Sequence, residues 1–308
     1  MHELYKSHRP PTLEQIVGNA GTVNALQTMA AKNRIPHAIL LEGPSGCGKT
    51  TFGRIIARLV KCARSEFNEI DSAQFRGIES IRELREVMQY AAQEGEVRVW
   101  LIDEVHKLTN DAQNAMLKML EDTPSHCYFI LATTDPEKLI KAIRTRCTTL
   151  SLQTLTPAEI MLVMKPIVLT EKIKVSKETA TLISERCNGS ARTALVMLDA
   201  IMDMKDPSEQ EAMIKGMVIG EEESANFGNM LLNNKAWREV AMALKAFNGD
   251  AEQMRRGVLG YMTAVCINAA GTGKDARAFA IMCAFEKPTY DTGKAGLVMA
   301  CYEACHSK

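Results

Sequence analysis

The chain of 308 residues is poor in aromatic side chains, 5% of the total with two tryptophans, and carries no excess of either charge, with Lys+Arg and Asp+Glu at 37 each. Balanced charge excludes a global basic field as the means of holding nucleic acid, so any such contact must come from a local patch. No run approaches the ~18 consecutive apolar residues of a membrane span, and the stretch from Met1 to Pro10 lacks the apolar heart of a secretion signal. The nine cysteines (47, 62, 127, 147, 187, 266, 283, 301 and 305) contain no C-x-x-C pair and no histidine placed to complete a zinc cluster; Cys301 and Cys305 lie closest. Free thiols in a reducing, cytoplasmic setting are expected, with no zinc and no membrane. What is present is ordinary globular material, 46% hydrophobic and 24% charged, with a length that suits about two domains.

One stretch stands out. Gly43-Pro44-Ser45-Gly46-Cys47-Gly48-Lys49-Thr50 fits the pattern G-x-x-x-x-G-K-[ST] and follows the apolar run Ala38-Ile39-Leu40-Leu41. Glycines let the backbone curl so that its N–H groups point inward, and a helix opening at about Lys49 adds the positive end of its dipole. Lys49 would reach the β- and γ-phosphates of a nucleotide, the Thr50 hydroxyl would ligate Mg²⁺, and Thr51 would sit in the first helical turn beside them. A chance glycine turn is the bland alternative, and the strand–loop–helix context argues against it. An ATP or GTP site is expected.

From Pro36 to Leu152 strand-like runs alternate with helical patterns, at Ala38–Leu41, Asn68–Asp71, Val97–Ile102, Tyr128–Thr133 and Thr148–Leu152. This alternation predicts an α/β domain with a parallel sheet. Beyond Gln153 only helix signals remain. Thr156-Pro157-Ala158-Glu159 reads as a capping box, Asn188-Gly189 as a stop, and Ser190 as the next cap. The parse is a nucleotide-binding domain over 1–152, a small helical domain over 153–207 and, after the break at Asp206-Pro207-Ser208, an all-helical unit over 208–308. In the last, Val258, Met262, Val265, Cys266 and Ala269 share one helix face. Met282 and Met299 could face a partner, but periodicity favours ordinary core packing.

Val99-Trp100-Leu101-Ile102-Asp103-Glu104 is an apolar strand ending in two carboxylates. Asp103 can hold Mg²⁺ and Glu104 can polarise an attacking water. Leu131-Ala132-Thr133-Thr134-Asp135-Pro136 ends another strand with hydroxyls; Ala142-Ile143-Arg144-Thr145-Arg146-Cys147 and Gly189-Ser190-Ala191-Arg192 follow. Together these resemble the sensor 1, arginine-finger and sensor 2 elements of AAA+ ATPases of the clamp-loader clade, over about 1–205. Within that clade the segments Ile102 to Leu108 and Leu131 to Leu139 are similar to the bacterial polymerase III gamma/tau subunit. Arg76-Gly77-Ile78 with Ile81-Arg82, and Leu108-Thr109 with Asp111-Ala112-Gln113, are similar to small subunits of replication factor C.

The resemblance implies an AAA+ P-loop domain, a helical lid and a helical collar, with ATP and Mg²⁺ as ligands. It implies catalytic roles for Glu104, Lys49, Thr134, Arg146 and Arg192, with Arg146 directed at the γ-phosphate of the next subunit. It places Arg9, Pro10 and Val17 against the adenine, through Tyr5 to Pro10 and Ile16 to Asn19. The partners implied are a sliding clamp, primer–template DNA and further loader subunits in a ring of five. The family's four-cysteine zinc module is reduced to Cys62, its Ser-Arg-Cys finger appears as Thr145-Arg146-Cys147, and the long tail of tau is absent, since the sequence ends at Lys308.

For DNA the expected contacts are helix N-termini: Arg76, Gly77 and Ile78 opening a helix that carries Arg82, and Thr109-Asn110 opening another, with Asn110-x-x-Gln113 resembling a capping box. The bland reading of the first is a solvated face of mixed charge. Two rival functions are a Holliday-junction branch-migration or other replication-fork AAA+ motor, whose third domain would be a winged helix, and a non-catalytic loader scaffold, which would not need a complete set of Lys49, Thr50, Asp103, Glu104 and Arg192.

Overall fold

Five strands form one parallel sheet in the computed structural model, which describes residues 3–72, 77–247, 249–269, 271, 273–289 and 292–306. They are β1 (Ala38–Glu42), β2 (Phe67–Asp71), β3 (Arg98–Asp103), β4 (Cys127–Thr133) and β5 (Thr148–Ser151), in the spatial order β2-β3-β4-β1-β5. Parallel strands covered on both faces read as continuous apolar runs, as Ile39-Leu40-Leu41 does here with all three side chains fully buried. Alternation then sends Leu40, Trp100, Ile102, Phe129 and Leu131 into one core layer, and Ile39, Leu41, Leu101, Ile130 and Ala132 into the other. The expected strands are all present. β3 runs one residue further than its apolar stretch, because Asp103 pairs with Asp71 at the end of the ladder.

The first layer is covered by α4 (Ile78–Val87), α5 (Asn110–Glu121) and α6 (Lys141–Arg146), the second by α2 (Ala20–Ala31) and α3 (Lys49–Leu59). A short α1 (Leu4–Ser7) precedes them, and α7 (Pro157–Thr170), α8 (Lys177–Arg186) and α9 (Ala191–Ile201) follow the sheet. The caps fall as expected. Thr156 and Glu159 form a reciprocal capping box with Pro157 in the first turn, and Ser190 accepts from Thr193 N to start α9. One expectation fails: Asn110 and Gln113 form no capping box. Thr109 alone caps α5, accepting from Ala112 N, while Gln113 turns inward, 1% exposed, donating to Leu108 O and accepting from Ile140 N.

The chain divides into two compact units, Met1–Glu211 and Ala212–Lys308. Among its described residues the second is wholly helical, with α10 (Pro207–Leu232) leading into α11 (Trp237–Ala246), α12 (Ala251–Asn268), α13 (Lys274–Ala284) and α14 (Gly293–His306). Val258, Met262, Ile281, Phe285 and Leu297 fill its core, and Met282 packs against it, whereas Met299 stays 69% exposed. All nine cysteines are free, and burial pushes the Cys147 and Cys301 thiols up to about 12. Among the described residues no helix is long and apolar enough to cross a membrane.

A buried polar cluster ties the start of α12 to the segment between α13 and α14. Glu252 accepts from Arg255 at 2.7 and 2.8 Å and from the N–H and hydroxyl of Thr289 at 2.8 and 3.0 Å, while Arg255 also donates to Phe285 O. The Arg255 guanidinium, with the Thr289 donors, holds the Glu252 carboxyl well below the usual carboxylate range. A carboxyl depressed by folding contributes stability that is complete above its unfolded value of about 4.3 and is lost as pH falls through its folded value. Glu252→Gln should therefore remove much of the acid dependence of the second unit, and Glu252→Ala should cost about 3–5 kcal/mol by depriving a buried arginine of its carboxylate. Denaturant titration from pH 7 down to pH 3, followed in the full chain by hydrogen exchange, checks both.

Candidate nucleotide site

Parallel pairing sets Glu42 beside Thr133 and Ile102 beside Leu131, so the chain leaves β1, β3 and β4 at one edge of the sheet. The glycine-rich loop leaves β1 there and closes on the start of α3. Gly43 has φ +149, and a Cβ on it would stand 2.3 Å from Leu152 O; one on Gly46, φ +76, would stand 2.0 Å from Ser190 Oγ. Only glycine permits these approaches. Lys49 is 6% exposed and donates to Gly43 O at 2.8 Å and Pro44 O at 2.9 Å, which holds its ammonium against the loop.

Thr50 donates to Asp103 Oδ2 at 2.8 Å, joining loop and strand, and Asp103 Oδ1 accepts from Glu104 N at 3.0 Å. Hydroxyl and carboxylate together form an oxygen pair of the kind hard cations take. Glu104 adopts a left-handed backbone, φ 52, and its Oε2 accepts from Thr134 at 3.3 Å. Thr134 thus lies where the sequence spacing places it, beside the second carboxylate.

These groups open on a cavity of about 520 Å³, lined by the loop from Ser45 to Phe52, by Asp103 and Glu104, by Arg9, Pro10 and Val17, and by Arg192 at the start of α9. Gly43 and Pro44 do not line it; their carbonyls are used on Lys49. Two guanidiniums enter this space. Arg9 Nη1 is buried with no hydrogen-bond partner, and burial, with Arg54 and Arg192 nearby, lowers the pKa of Arg9. Arg192 stands over the Tyr5 ring, 5.8 Å from its centroid. Three cations around a glycine-rich loop fit a polyphosphate anion, and the unsatisfied Arg9 Nη1 has the donor such an anion requires.

The cavity also takes His8, from the segment Tyr5 to Pro10, and residues that the sequence reading missed: Gln15, Leu155, Leu162, Val163, Pro166, Ile167 and Leu195. α7 is nearly apolar all round, and Leu162 lines the cavity while 60% exposed. An apolar face left uncovered was the available signal. His8 pairs with Glu171 at 2.5 Å, joining the N-terminal segment to the end of α7.

Other expected residues lie elsewhere. Arg146 does not reach the cavity; it is on α6, paired with Glu121 and donating to Ala142 O. Gly77, Ile78 and Arg82 are at the start of α4, with Arg82 exposed and bound to Glu79 at 2.7 Å, and Thr109 and Asn110 open α5. Arg76 lies outside the described residues. No group of three or more His, Cys, Asp or Glu among the described residues is placed to hold a metal ion.

The architecture is a mixed α/β one of the AAA+ kind, with a parallel sheet and helical extensions. Its solved likenesses include the Holliday-junction branch-migration motor RuvB of Thermotoga maritima (TM-score 0.59, 20% identity, 77% of this chain and 85% of that one) and a mutant of the same protein (TM-score 0.60, 19% identity, 78% and 86%). At that identity the likeness is one of fold. A family model described as DNA polymerase III, delta subunit, matches residues 66–156.

In sequence the chain is 34% identical to the DNA polymerase III subunit tau of Bacillus subtilis over 64% of this chain and 38% of that protein. It is 35% identical to the gamma subunit of Buchnera aphidicola, over 65% and 61%, and 32% identical to the tau subunit of Escherichia coli, over 70% and 37%. The chain is homologous to the AAA+ clamp-loader subunits of the polymerase III gamma/tau group. It spans between about a third and two thirds of the length of these relatives.

The closeness of Ser190 to Gly46 yields a test of this geometry. Gly46→Ala forces a side chain into a left-handed position against the Ser190 hydroxyl and should cost about 1–3 kcal/mol, or about 2–4 °C in melting midpoint per kcal/mol. An unchanged midpoint would mean that the α9 cap does not press on the loop.

Proposed function

We propose that this chain is an ATP-hydrolysing subunit of a sliding-clamp loader, in which ATP binding opens and places a clamp on primer–template DNA and hydrolysis releases it. One observation carries the reading: a sequence homologous to gamma and tau subunits brings Lys49, Thr50, Asp103, Glu104 and Arg192 to a single cavity, with Thr134 donating to Glu104. Homology to AAA+ ATPases supports ATP and Mg²⁺ as its ligands. Thr50 and Asp103 would hold Mg²⁺, which when bound neutralises phosphate charge.

The chain's own residues divide the chemistry. The loop N–H groups, with Lys49, Arg9 and Arg192, bind and orient the phosphates, and the apolar wall from Val17 to Ile167 receives the base and excludes water from its face. Glu104 takes the proton of the attacking water as it approaches phosphorus. Arg146 lies on the surface away from its own chain's cavity, which supports its action on a neighbouring subunit, where positive charge stabilises the transition state. The helices α7 to α9 act as the lid and the unit from α10 onward as the collar of a ring. Gly77, Ile78, Arg82, Thr109 and Asn110 track DNA phosphates through the N-termini of α4 and α5, a mode of contact without sequence choice.

The solved likenesses favour a second reading, a Holliday-junction motor. Against it, the described residues of the second unit contain no strand, whereas a winged helix has a hairpin. Steady-state turnover separates the two. Clamp and primed DNA together should raise the ATPase rate more than either alone; strong stimulation by a four-way junction, with none by clamp and primed DNA, would establish the second reading. In either setting Glu104→Gln should lower turnover about 10²–10⁴-fold with nucleotide still bound, and Lys49→Ala should lose nucleotide binding itself. Unchanged turnover in Glu104→Gln would remove that carboxylate from the reaction.

A further inference from the structure

The Glu104 carboxylate is held by more than Thr134. His106 lies in the single 3₁₀ turn after β3, its side chain 11% exposed, with Nδ1 3.0 Å from Thr133 Oγ1 and Nε2 3.4 Å from Glu104 Oε2. Thr133 is fully buried and its hydroxyl oxygen already accepts from Asp135 N at 3.0 Å. The Thr133 proton is then free to go to His106 Nδ1. In that arrangement Nδ1 accepts, Nε2 carries hydrogen, and Nε2 stands in contact with Oε2 of Glu104.

We infer that His106 is a positioning residue for hydrolysis, which links the loop after β4 to the Glu104 carboxylate through the relay Asp135 N–H, Thr133 hydroxyl, imidazole, Oε2. The inference rests on reading Glu104 as the group that takes the proton from water. With Thr134 donating to Oε2 and His106 Nε2 in contact with the same oxygen, Oε1 is left to accept that proton. The backbone supports the arrangement, since Glu104 occupies a left-handed conformation that β-carbon crowding disfavours and is retained there by its own N–H donating to Asp103. Burial lowers the imidazole pKa against the opposing pull of Glu104 and Asp135, with Lys107 and Lys138 adding to the lowering, and a neutral ring keeps the Nδ1 lone pair the relay needs. Contacts around a reacting group that are long or poorly aligned without substrate tighten when it is bound.

The relay connects two pieces of chain that both touch the site. A shift of the loop at Thr134 and Asp135 turns the Glu104 carboxylate without moving β3, so the hydrolytic step answers to the loop after β4 as well as to the nucleotide.

Single-turnover hydrolysis by His106→Phe, which keeps the ring and loses both nitrogens, should fall about 10–100-fold, the usual cost of losing a partner that orients a reacting group. Nucleotide affinity and KM should stay at the wild-type values. His106→Gln, whose amide N–H can take the place of Nε2, should restore most of the loss, and His106→Phe should cost nothing further in the Glu104→Gln background. Wild-type turnover in His106→Phe, or an equal loss in both backgrounds, would overturn the inference, as would failure of the glutamine to rescue. Thr133→Val, which removes the hydroxyl and spares the imidazole, provides a second probe should the phenylalanine fold poorly; it should lower turnover with affinity unchanged, and no effect would break the relay. If Glu104→Gln alone leaves turnover unchanged, the hydrolytic reading of Glu104 has failed; if it abolishes turnover while His106→Phe does not lower it, only the role of His106 has failed.

Discussion

Parallel pairing of β1, β4 and β3 is the constraint from which the site follows. Because β4 lies between β1 and β3 in register, three strands end at the same edge, bringing a phosphate loop, a carboxylate pair and a hydroxyl pair together with no contribution from long loops. Ligands of open α/β sheets bind beyond the carboxyl ends of the strands for this reason. The Thr50 to Asp103 hydrogen bond is the local expression of that order, joining the end of one strand to the helix that follows another. Were the register of β3 shifted by one residue, Asp103 would face the opposite side of the sheet and the pair would be lost.

The charge of the chain is balanced overall and uneven locally. Arg9, Lys49 and Arg192 meet at one cavity, and burial of Arg9 costs energy that an anion would offset. Elsewhere basic side chains are matched: Arg82 with Glu79, Arg144 with Glu137, Arg146 with Glu121, and Arg98 with Glu66 in a buried pair. Exposed pairs of this kind exchange partners at little cost. Glu121 thus holds Arg146 without committing it, whereas Arg9 has no such companion for Nη1.

Much of this was legible in residues alone. The strands, the phosphate loop, Asp103 with Glu104 and the caps at Thr109, Thr156 and Ser190 are local signals, each contained in a few consecutive residues, and each appears at its place. Gln113 misled because its spacing from Asn110 matched a cap, while the deciding contacts, to Leu108 and Ile140, come from loops that only the tertiary fold brings near. His106 sat within a motif segment and showed no role there, because its partners Thr133 and Asp135 belong to another strand end. The Glu252 cluster was invisible for the same reason. A charged residue in a helix reads as solvated until packing buries it.

In the proposed loader each site is finished by a neighbouring subunit, and Arg146 tests this most directly. Arg146→Ala should bind ATP as the unaltered protein does and lose about 10³-fold or more in turnover. Mixed with Lys49→Ala, also inactive alone, it should regain activity, since an interface between the two offers an intact Lys49 site facing an intact Arg146. Undiminished turnover in Arg146→Ala by itself would contradict the account, as would mixed assemblies that form and recover nothing.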